Sequence, residues 1–498
     1  MRVDLSPVLV CAASLLAACG SPTDSRPDPV PPTPPTAVSL AGGNGQTGIV
    51  GGALGDSLSV RVVDAGGRGV AGVEVRFATA AGSASPAVDS TDANGVASTR
   101  WTLGEAIGAA GLTATVPVLP GAEVAFTATA ARVRPSVAAG LTMSCAITSH
   151  GRAFCWGTNG SGELGIGGGP AKLTPVPVAT DLRFWSISAG AQHACGIAVD
   201  RRAYCWGSNT NGQLGDSTII DRTAPWPVRG GLRFRTISAG GLHTCGIATN
   251  GDTYCWGDGR NGQVGDATNP ALVFSPRRVP SPVAFDSLTA GGASTCALTA
   301  DGVAYCWGYN ALGQLGNGTN ISVSSPVPVA GGHRFATLRA GMSLTCGTEA
   351  GSGRAWCWGN DDWTALGSAV PSETCLLGAE LEFVHQCAKT PVPVDDPAGY
   401  RVVTPGDIHS CGMAGVQVFC WGLGLNGVLG TGNTIPSPVP TLVGAYPFVD
   451  IDVYYLHTCG ITAGSAVYCW GRNDWGRLGN GTLEDRWVPT LVVGGPLE

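Results

Sequence analysis

The chain carries the stretch HACGIAVDRRAYCWG at residues 193–207, and the stretch returns at 243–257 as HTCGIATNGDTYCWG and at 457–471 as HTCGITAGSAVYCWG. A fourth copy, STCALTADGVAYCWG, covers 294–308, and three looser copies end in CWG at residues 157, 359 and 422. Most copies lie about 50 residues apart. A fixed period of this length predicts a fold built from seven repeated units.

Each copy predicts a β-hairpin with a cysteine on both strands. In the third copy the two cysteines are centred on Asn250-Gly251, a dipeptide that suits a tight turn. Residues opposite each other on adjacent strands are close enough for a disulfide. We therefore expect the following bonds: Cys145–Cys155, Cys195–Cys205, Cys245–Cys255, Cys296–Cys306, Cys346–Cys357, Cys411–Cys420 and Cys459–Cys469. Zinc is the alternative for such spacing, but it is disfavoured if the chain is exported to an oxidising compartment.

The repeats resemble those of the regulator of chromosome condensation family. Each copy is followed by a turn such as YNALGQLG (309–316) and then by a Pro-rich strand such as SPVPV (325–329). The resemblance implies that residues 133–494 form a seven-bladed β-propeller. The cysteine pair in each blade departs from the founding member of the family, a reduced nuclear protein.

We also expect the propeller ring to close through its C-terminal strand. A Pro-rich strand lies between every two successive copies, none precedes the first copy, and one follows the last copy at 488–493. An open ring would leave an exposed strand edge. We therefore expect residues 488–493 to complete the sheet built from 136–157.

Residues 37–131 predict a small β-sandwich in front of the repeats. Short runs such as SLSVRVV (57–63) and VEVRF (73–77) alternate apolar and polar residues, and glycine-rich turns separate them. The segments at 60–77 and 91–101 resemble the bacterial Ig-like domains of invasin and intimin. The resemblance implies a spacer without a ligand of its own. The predicted fold class is therefore all-β, with an Ig-like sandwich followed by a propeller.

The N-terminus has the features of an exported lipoprotein. Residues 1–18 read as a signal peptide, with an apolar stretch at 8–18 that is too short to span a bilayer as a helix. The residues LAAC (16–19) resemble a bacterial lipobox, which implies lipidation of Cys19. Residues 19–36 are rich in proline and predict an extended tether. We expect a lipid anchor in the cell envelope, with the outer membrane favoured in a Gram-negative cell, because Gly20 is not the Asp that retains such proteins at the inner membrane.

Composition and motifs argue against several functions. The net charge is −7 and no basic run occurs, so nucleic acid is not an expected partner. The sequence has no G-x-S-x-G, Walker or H-E-x-x-H motif, and we expect no catalytic residues, no metal and no cofactor. The adjacent acids at 361–362 and 395–396 are interpreted as solvated turns. Recurrence favours structural roles for the repeat histidines and for the CWG tryptophans. The histidines are His193, His243, His409 and His457.

The fifth repeat carries an insertion of about 14 residues with its own cysteines, Cys375 and Cys387. We expect an eighth disulfide between them. The enclosed segment LLGAELEFVHQ is unusually apolar for a surface loop, and a disulfide would preorganise it for binding. The candidate partner-binding residues are Leu376, Leu377, Leu381, Phe383 and Val384. The alternative is that the loop folds back and buries these residues locally.

The function favoured by the sequence is a non-enzymatic binding or adhesion module of the cell envelope, with an envelope or extracellular protein or a glycan as partner. One alternative is an envelope enzyme acting on glycans, which a facing carboxylate pair in a cleft would favour. Another is a protein inhibitor that resembles the propeller inhibitor of β-lactamase. Guanine-nucleotide exchange, known in the family, is not expected in this compartment.

Overall fold

The computed structural model describes residues 33–369, 373–377, 383–395 and 399–497. These ranges contain 38 β-strands and one short 3-10 turn, Leu425–Gly427, so the predicted all-β class is confirmed. Among the same residues, no helix has the length and apolar character that a membrane crossing requires. Cys19, the signal segment and most of the tether lie outside the described residues.

The N-terminal unit consists of two sheets. Its first sheet has the order β1-β3-β7-β5 and its second the order β2-β9-β8-β4-β6. The strands are β1 (Ala37–Gly42), β2 (Gln46–Ile49), β3 (Leu58–Val63), β4 (Glu74–Thr79), β5 (Ser83–Ser85), β6 (Val88–Ser90), β7 (Val96–Thr102), β8 (Gly108–Thr115) and β9 (Glu123–Ala131). Alternate residues of β3 are buried, as the period of two in its sequence predicts, and Trp101 is fully buried among them.

Seven further antiparallel sheets follow, which we call repeat sheets 1 to 7. Repeat sheets 1 to 4 each consist of four strands in chain order. These strands are β10 (Ser136–Ala139), β11 (Met143–Ile147), β12 (Ala153–Gly157), β13 (Lys172–Pro177), β14 (Phe184–Ala189), β15 (His193–Ala198), β16 (Ala203–Gly207), β17 (Arg222–Pro227), β18 (Phe234–Ala239), β19 (His243–Ala248), β20 (Thr253–Asp258), β21 (Leu272–Arg278), β22 (Ser287–Ala290), β23 (Ser294–Leu298), β24 (Ala304–Gly308) and β25 (Val323–Pro328).

Repeat sheet 5 has five strands in the order β26-β27-β28-β30-β29, and repeat sheets 6 and 7 again have four in chain order. Their strands are β26 (Phe335–Ala340), β27 (Leu344–Glu349), β28 (Ala355–Asn360), β29 (Glu373–Leu377), β30 (Phe383–Pro393), β31 (Val402–Pro405), β32 (His409–Ala414), β33 (Gln417–Gly422), β34 (Ser437–Ala445), β35 (Phe448–Tyr454), β36 (His457–Thr462), β37 (Ala466–Gly471) and β38 (Arg486–Pro496).

The repeat cysteines face each other on the second and third strands of every repeat sheet. Cys245 of β19, for example, is registered opposite Cys255 of β20. All seven pairs form disulfides, with Cα atoms 4.1–4.2 Å apart. Each disulfide therefore fixes the central hairpin of its own sheet and does not join neighbouring sheets.

The expectation that residues 488–493 complete the first repeat sheet is wrong. These residues belong to β38, which pairs with β37 in repeat sheet 7, and the fourth strand of repeat sheet 1 is its own β13. The Pro-rich strand that follows each copy belongs to that copy, as β13 pairs with β12, so the seven copies have seven such strands and none is left over. The first and last sheets therefore contact each other without sharing a strand.

Neighbouring repeat sheets meet along a boundary that we call the seam. A recurring set of hydrogen bonds joins the sheets there. At the seam between sheets 2 and 3, Trp256 Nε1 and Thr244 Oγ1 both donate to the carbonyl oxygen of Gln213, at 2.9 and 2.8 Å. Because the Thr244 hydroxyl donates its hydrogen to that carbonyl, its oxygen accepts from His193 Nε2 at 2.9 Å. Gly215 beside them has φ +68°, and a Cβ there would lie 2.6 Å from the Trp256 indole nitrogen, so the L-G turn requires glycine.

The seam between the last and first sheets has the same form. Trp156 Nε1 and Ser144 Oγ donate to the carbonyl oxygen of Arg477 at 2.8 and 2.9 Å, and Ser144 lies 2.8 Å from His457 Nε2. The amide of Gly481 also donates to the Leu173 carbonyl at 2.9 Å. Sheet 7 is therefore joined to sheet 1 as sheet 2 is joined to sheet 3.

One seam lacks these bonds. Between sheets 1 and 2 the histidine and threonine positions hold Met143 and Ala194, and the buried Trp206 Nε1 has no hydrogen-bond partner among the described residues. The N-terminal unit packs at this place, where its Ile49 joins a hydrophobic cluster with Met143, Phe184 and Trp206. An ion pair of 3.1 Å between Arg233 and Asp56 adds to the contact. The N-terminal unit is therefore fixed against the repeat sheets.

Candidate functional site

The insertion of the fifth repeat forms a hairpin attached to the edge of repeat sheet 5. We call β29 and residues 383–387 of β30 the insertion hairpin. Cys375 and Cys387 form its disulfide, with Cα atoms 5.9 Å apart, and both are buried in a small cluster with Leu312 of sheet 4. The remainder of β30 continues as the fourth strand of the sheet.

Polar contacts fix the base of the insertion hairpin to the preceding loop. Asp362 accepts from the amide of Gln386 at 2.8 Å through Oδ1, and its Oδ2 bonds to the ring nitrogen Nδ1 of His385. Lys389 and Glu373 form an ion pair of 3.1 Å between the two strands. These bonds fix the described part of the insertion hairpin to the sheet and to the Asp362 loop.

The structure locates part of the predicted partner-binding set. Leu376 is registered opposite Val384, and Leu377 opposite Phe383, while Leu381 lies outside the described residues. The Val384 side chain is 59 % exposed, so at this position the apolar residue is not buried by the propeller.

The adjacent acids hold loops in place. Asp362 anchors the insertion hairpin, and Asp395 accepts a hydrogen bond from the amide of Ala369. Asp396 lies outside the described residues. Asp362 and Asp395 therefore act in loop structure.

The repeat histidines and tryptophans are interior groups. All four histidines are fully buried, and burial lowers the pKa of His193 to about 3 and that of His243 to about 4. The neutral imidazole that burial favours still supplies the Nε2–H that donates to a hydroxyl of the next sheet. The seven CWG tryptophans are also fully buried, so none of them offers an aromatic platform for a glycan. They are Trp156, Trp206, Trp256, Trp307, Trp358, Trp421 and Trp470.

The first strands of all seven repeat sheets border one central cavity, which we call the channel. Residues registered opposite the first cysteine of each sheet occupy equivalent positions along it. They are Ala138, Ser188, Ser238, Thr289, Arg339, Thr404 and Asp452. Three of the hydroxyls accept from a backbone amide of the next sheet, as when Ser188 Oγ accepts from the Ala239 amide at 2.9 Å. The hydroxyl of Thr404 instead donates. Two members of this set, Arg339 and Asp452, carry charge.

Two carboxylates of β35 project towards the channel. Asp452 accepts from the Ala139 amide at 2.9 Å and from the Thr404 hydroxyl at 3.2 Å. Asp450, two residues earlier on the same strand, accepts from the Val137 amide at 3.3 Å. Burial raises the pKa of both carboxyls, that of Asp452 to about 6, and the charge of Arg339 offsets part of this rise.

These channel charges were not among the predicted site residues, although a comparison of the repeat sequences would indicate them. The first strands read FWSISA (184–189), FRTISA (234–239) and FATLRA (335–340), whereas the last reads FVDIDVY (448–454). Aspartates therefore stand where other copies have Ser or Thr. Only the folded ring shows that Arg339 shares the same cavity.

The chain belongs to the RCC1-like domain family. The family model described as RCC1-like domain matches residues 99–459, and two models of the regulator of chromosome condensation repeat match residues 448–477 and 465–496. The strands place the first repeat sheet later, at Ser136.

Curated relatives and solved structures agree with this assignment. The chain is 27 % identical over 184 residues to the ultraviolet-B receptor UVR8 of Arabidopsis thaliana. The aligned segment covers 35 % of this chain and 38 % of the receptor. It is 27 % identical over 156 residues to human E3 ubiquitin-protein ligase HERC2, covering 30 % of this chain and 3 % of the ligase. The chain thus spans much less than two thirds of either relative.

The structures show the same fold at low identity. Human WBSCR16 superimposes with a TM-score of 0.60 at 22 % identity, over 70 % of this chain and 95 % of that protein. Prp20p of Saccharomyces cerevisiae gives 0.59 at 19 % identity, over 68 % of this chain and 85 % of Prp20p. These likenesses establish an RCC1-like propeller scaffold.

The raised pKa of Asp452 predicts a pH-dependent response to the substitution Asp452→Asn. The folded protein binds this proton below about pH 6, whereas an exposed aspartate binds it only below about pH 4, so a charged carboxylate costs stability above pH 6. An amide stays neutral and still accepts the Ala139 bond. We expect the variant to be more stable at pH 8 by about 1–2 kcal/mol, allowing for screening by channel water, and the gain to shrink towards pH 4.5.

Thermal melting of both proteins across this pH range measures the effect. The exposed Asp286, which lies just before β22, provides the matched control, and Asp286→Asn should show no such pH dependence. An equal change in melting temperature at pH 4.5 and pH 8 for Asp452→Asn would contradict a channel carboxyl with a raised pKa.

Proposed function

We propose that the chain is a non-enzymatic binding module built on a disulfide-stapled, seven-bladed propeller that follows an Ig-like sandwich. Support for seven blades comes from the seven repeat sheets in chain order, whose first strands border one channel. The closing seam, with the bonds of Trp156 and Ser144 to the Arg477 carbonyl, supports a complete ring.

The observation that carries the proposal is the insertion hairpin. It departs from the repeat pattern, it has its own disulfide, and its base is bonded to the Asp362 loop. Its Val384 exposes an apolar side chain on a hairpin that is bonded to the sheet. Exposed apolar groups of this kind form the contacts of protein interfaces. The partner we propose is an envelope or extracellular protein, with a glycan as the other possibility.

An enzyme that acts on glycans is the second candidate. Glycoside hydrolysis needs two carboxyl groups on opposite sides of the scissile bond. Asp450 and Asp452 lie instead on one strand, and both accept hydrogen bonds from backbone amides of repeat sheet 1. This arrangement favours a role in joining the sheets over a role in catalysis.

The activities of the relatives are not carried over to this chain. UVR8 is a receptor and HERC2 is a ligase, but the matched segments cover 38 % and 3 % of those proteins. A family that contains such different proteins uses the propeller as a scaffold.

We further propose that the protein is exported and anchored through a lipid on Cys19. The eight disulfides support an oxidising compartment. The apolar segment and the LAAC sequence at 16–19 support lipidation.

The binding proposal predicts that Val384→Asp abolishes partner capture without loss of stability. A buried interface disfavours an unpaired carboxylate, whereas the free hairpin leaves this position in water. The experiment immobilises the full chain, presents solubilised envelope and secreted proteins, and quantifies the proteins that untagged chain displaces. Val416→Asp is the matched control, because Val416 is 56 % exposed in the turn between β32 and β33, at the opposite end of the sheets.

The expected result is loss of the displaceable proteins with Val384→Asp and retention with Val416→Asp, at equal melting temperatures. Retention by both variants would rule out the insertion hairpin as the binding site. A large drop in melting temperature for Val384→Asp would show that the hairpin is structural.

The localisation proposal predicts that Cys19→Ala prevents lipidation and signal cleavage, because the thiol of Cys19 is the proposed attachment site. Expression in a Gram-negative host, followed by membrane fractionation and intact-mass measurement, checks this. Cys11→Ala, a change inside the apolar segment, should leave both properties unchanged. A Cys19→Ala protein with unaltered mass and membrane association would refute the lipid anchor.

A further inference from the structure

Three arginines meet at one mouth of the channel. Arg134 comes from the link between the N-terminal unit and repeat sheet 1, Arg339 from β26, and Arg401 from the residue before β31. Together with Asp450 they line a cleft of about 330 Å³. A cleft of this volume is at the small end of the range for sites that bind small molecules.

Two of these guanidinium groups are held side by side. The Nη2 atoms of Arg134 and Arg401 both donate to the carbonyl oxygen of Val449, the latter at 3.1 Å. Two like charges on one acceptor repel each other, and the pKa of Arg401 is lowered by burial and by the charge of Arg134. The arrangement would gain stability from an anion that contacts both groups.

The three guanidinium groups of the cleft form no ion pair with the described carboxylates. Across the described part of the chain, no carboxylate oxygen lies within 4 Å of these three guanidinium groups. Arg339 is exposed to the channel and has no hydrogen-bond partner among the same residues. Among the residues that line the cleft, Asp450 is the single carboxylate, and it accepts from the Val137 amide, so three guanidinium groups share one acid.

We propose that this mouth of the channel binds the oxyanion group, carboxylate or phosphate, of a small organic molecule through Arg134, Arg339 and Arg401. Guanidinium groups bind such oxyanions with charge-assisted, bidentate hydrogen bonds. Ser287 and Leu288 also line the cleft, so the organic part of the ligand would contact both a polar and an apolar residue.

This site is distinct from the insertion hairpin. In antiparallel sheets with strands in chain order, first strands begin at the end where the turns between second and third strands lie. Asp450 lies near the beginning of β35, whereas the insertion hairpin connects a third strand to a fourth strand. The two candidate sites therefore lie on opposite faces, and each proposal is testable without the other.

Isothermal titration calorimetry on the full chain tests the proposal with three probes: glucuronate, glucose 6-phosphate and glucose. The two anions distinguish a carboxylate from a phosphate ligand, and glucose is the neutral control. We expect binding of at least one anion, weakened by added salt, and none of glucose. Absence of binding by both anions, or equal binding of glucose, would overturn the proposal.

Substitutions locate the binding. Arg339→Gln should lower the affinity for the anion at least about tenfold, the factor expected for loss of one charge-assisted hydrogen bond. The substitution should leave folding intact because Arg339 forms no hydrogen bond with the described residues. Asp450→Asn should strengthen binding by removing a negative charge from the cleft. Arg334→Gln is the matched control, since Arg334 is exposed on the same sheet outside the cleft and should leave affinity unchanged. An Arg339→Gln protein that binds like the wild type would contradict the assignment.

Discussion

At five of the seven seams one carbonyl oxygen receives two side-chain donors, and the repeat architecture depends on this interaction. A tryptophan and a hydroxyl residue of one sheet both reach into the loop of the sheet before it, as Trp256 and Thr244 do at Gln213. The disulfides cannot take this role because each one closes a hairpin inside its own sheet. They stiffen the blades, and by the chain-entropy argument a ten-residue loop contributes at most about 2–3 kcal/mol each. The seams then determine how blade packs on blade.

The one seam without these bonds explains the position of the N-terminal unit. Met143 and Ala194 leave an apolar junction between sheets 1 and 2, and Ile49 packs into the same hydrophobic cluster. Burial of apolar surface there takes the place of the missing hydrogen bonds. The N-terminal unit is consequently packed against the repeat sheets.

The sequence predicted what depends on local spacing. Hairpin symmetry around residues such as Asn250-Gly251 led to each cysteine pair, because cross-strand neighbours follow from the turn position alone. The position of the C-terminal strand was predicted wrongly because each Pro-rich strand was assigned to the copy after it, whereas it pairs with the copy before it. The channel charges were missed for another reason. Asp452 and Arg339 are more than 100 residues apart, and only the closed ring brings them to one cavity.

Hydrogen exchange at the closing seam tests most directly whether the seven sheets form a complete ring. The Gly481 amide bonds to Leu173 across the closing seam, and the Gly432 amide makes the equivalent bond to Trp487 between sheets 6 and 7. Exchange of these two amides can be compared in the native protein by mass spectrometry with residue-level fragmentation. Similar, strong protection of Gly481 and Gly432 is the result the closed ring predicts. Rapid exchange of Gly481 beside a protected Gly432 would show that the ring is open between its first and last sheets.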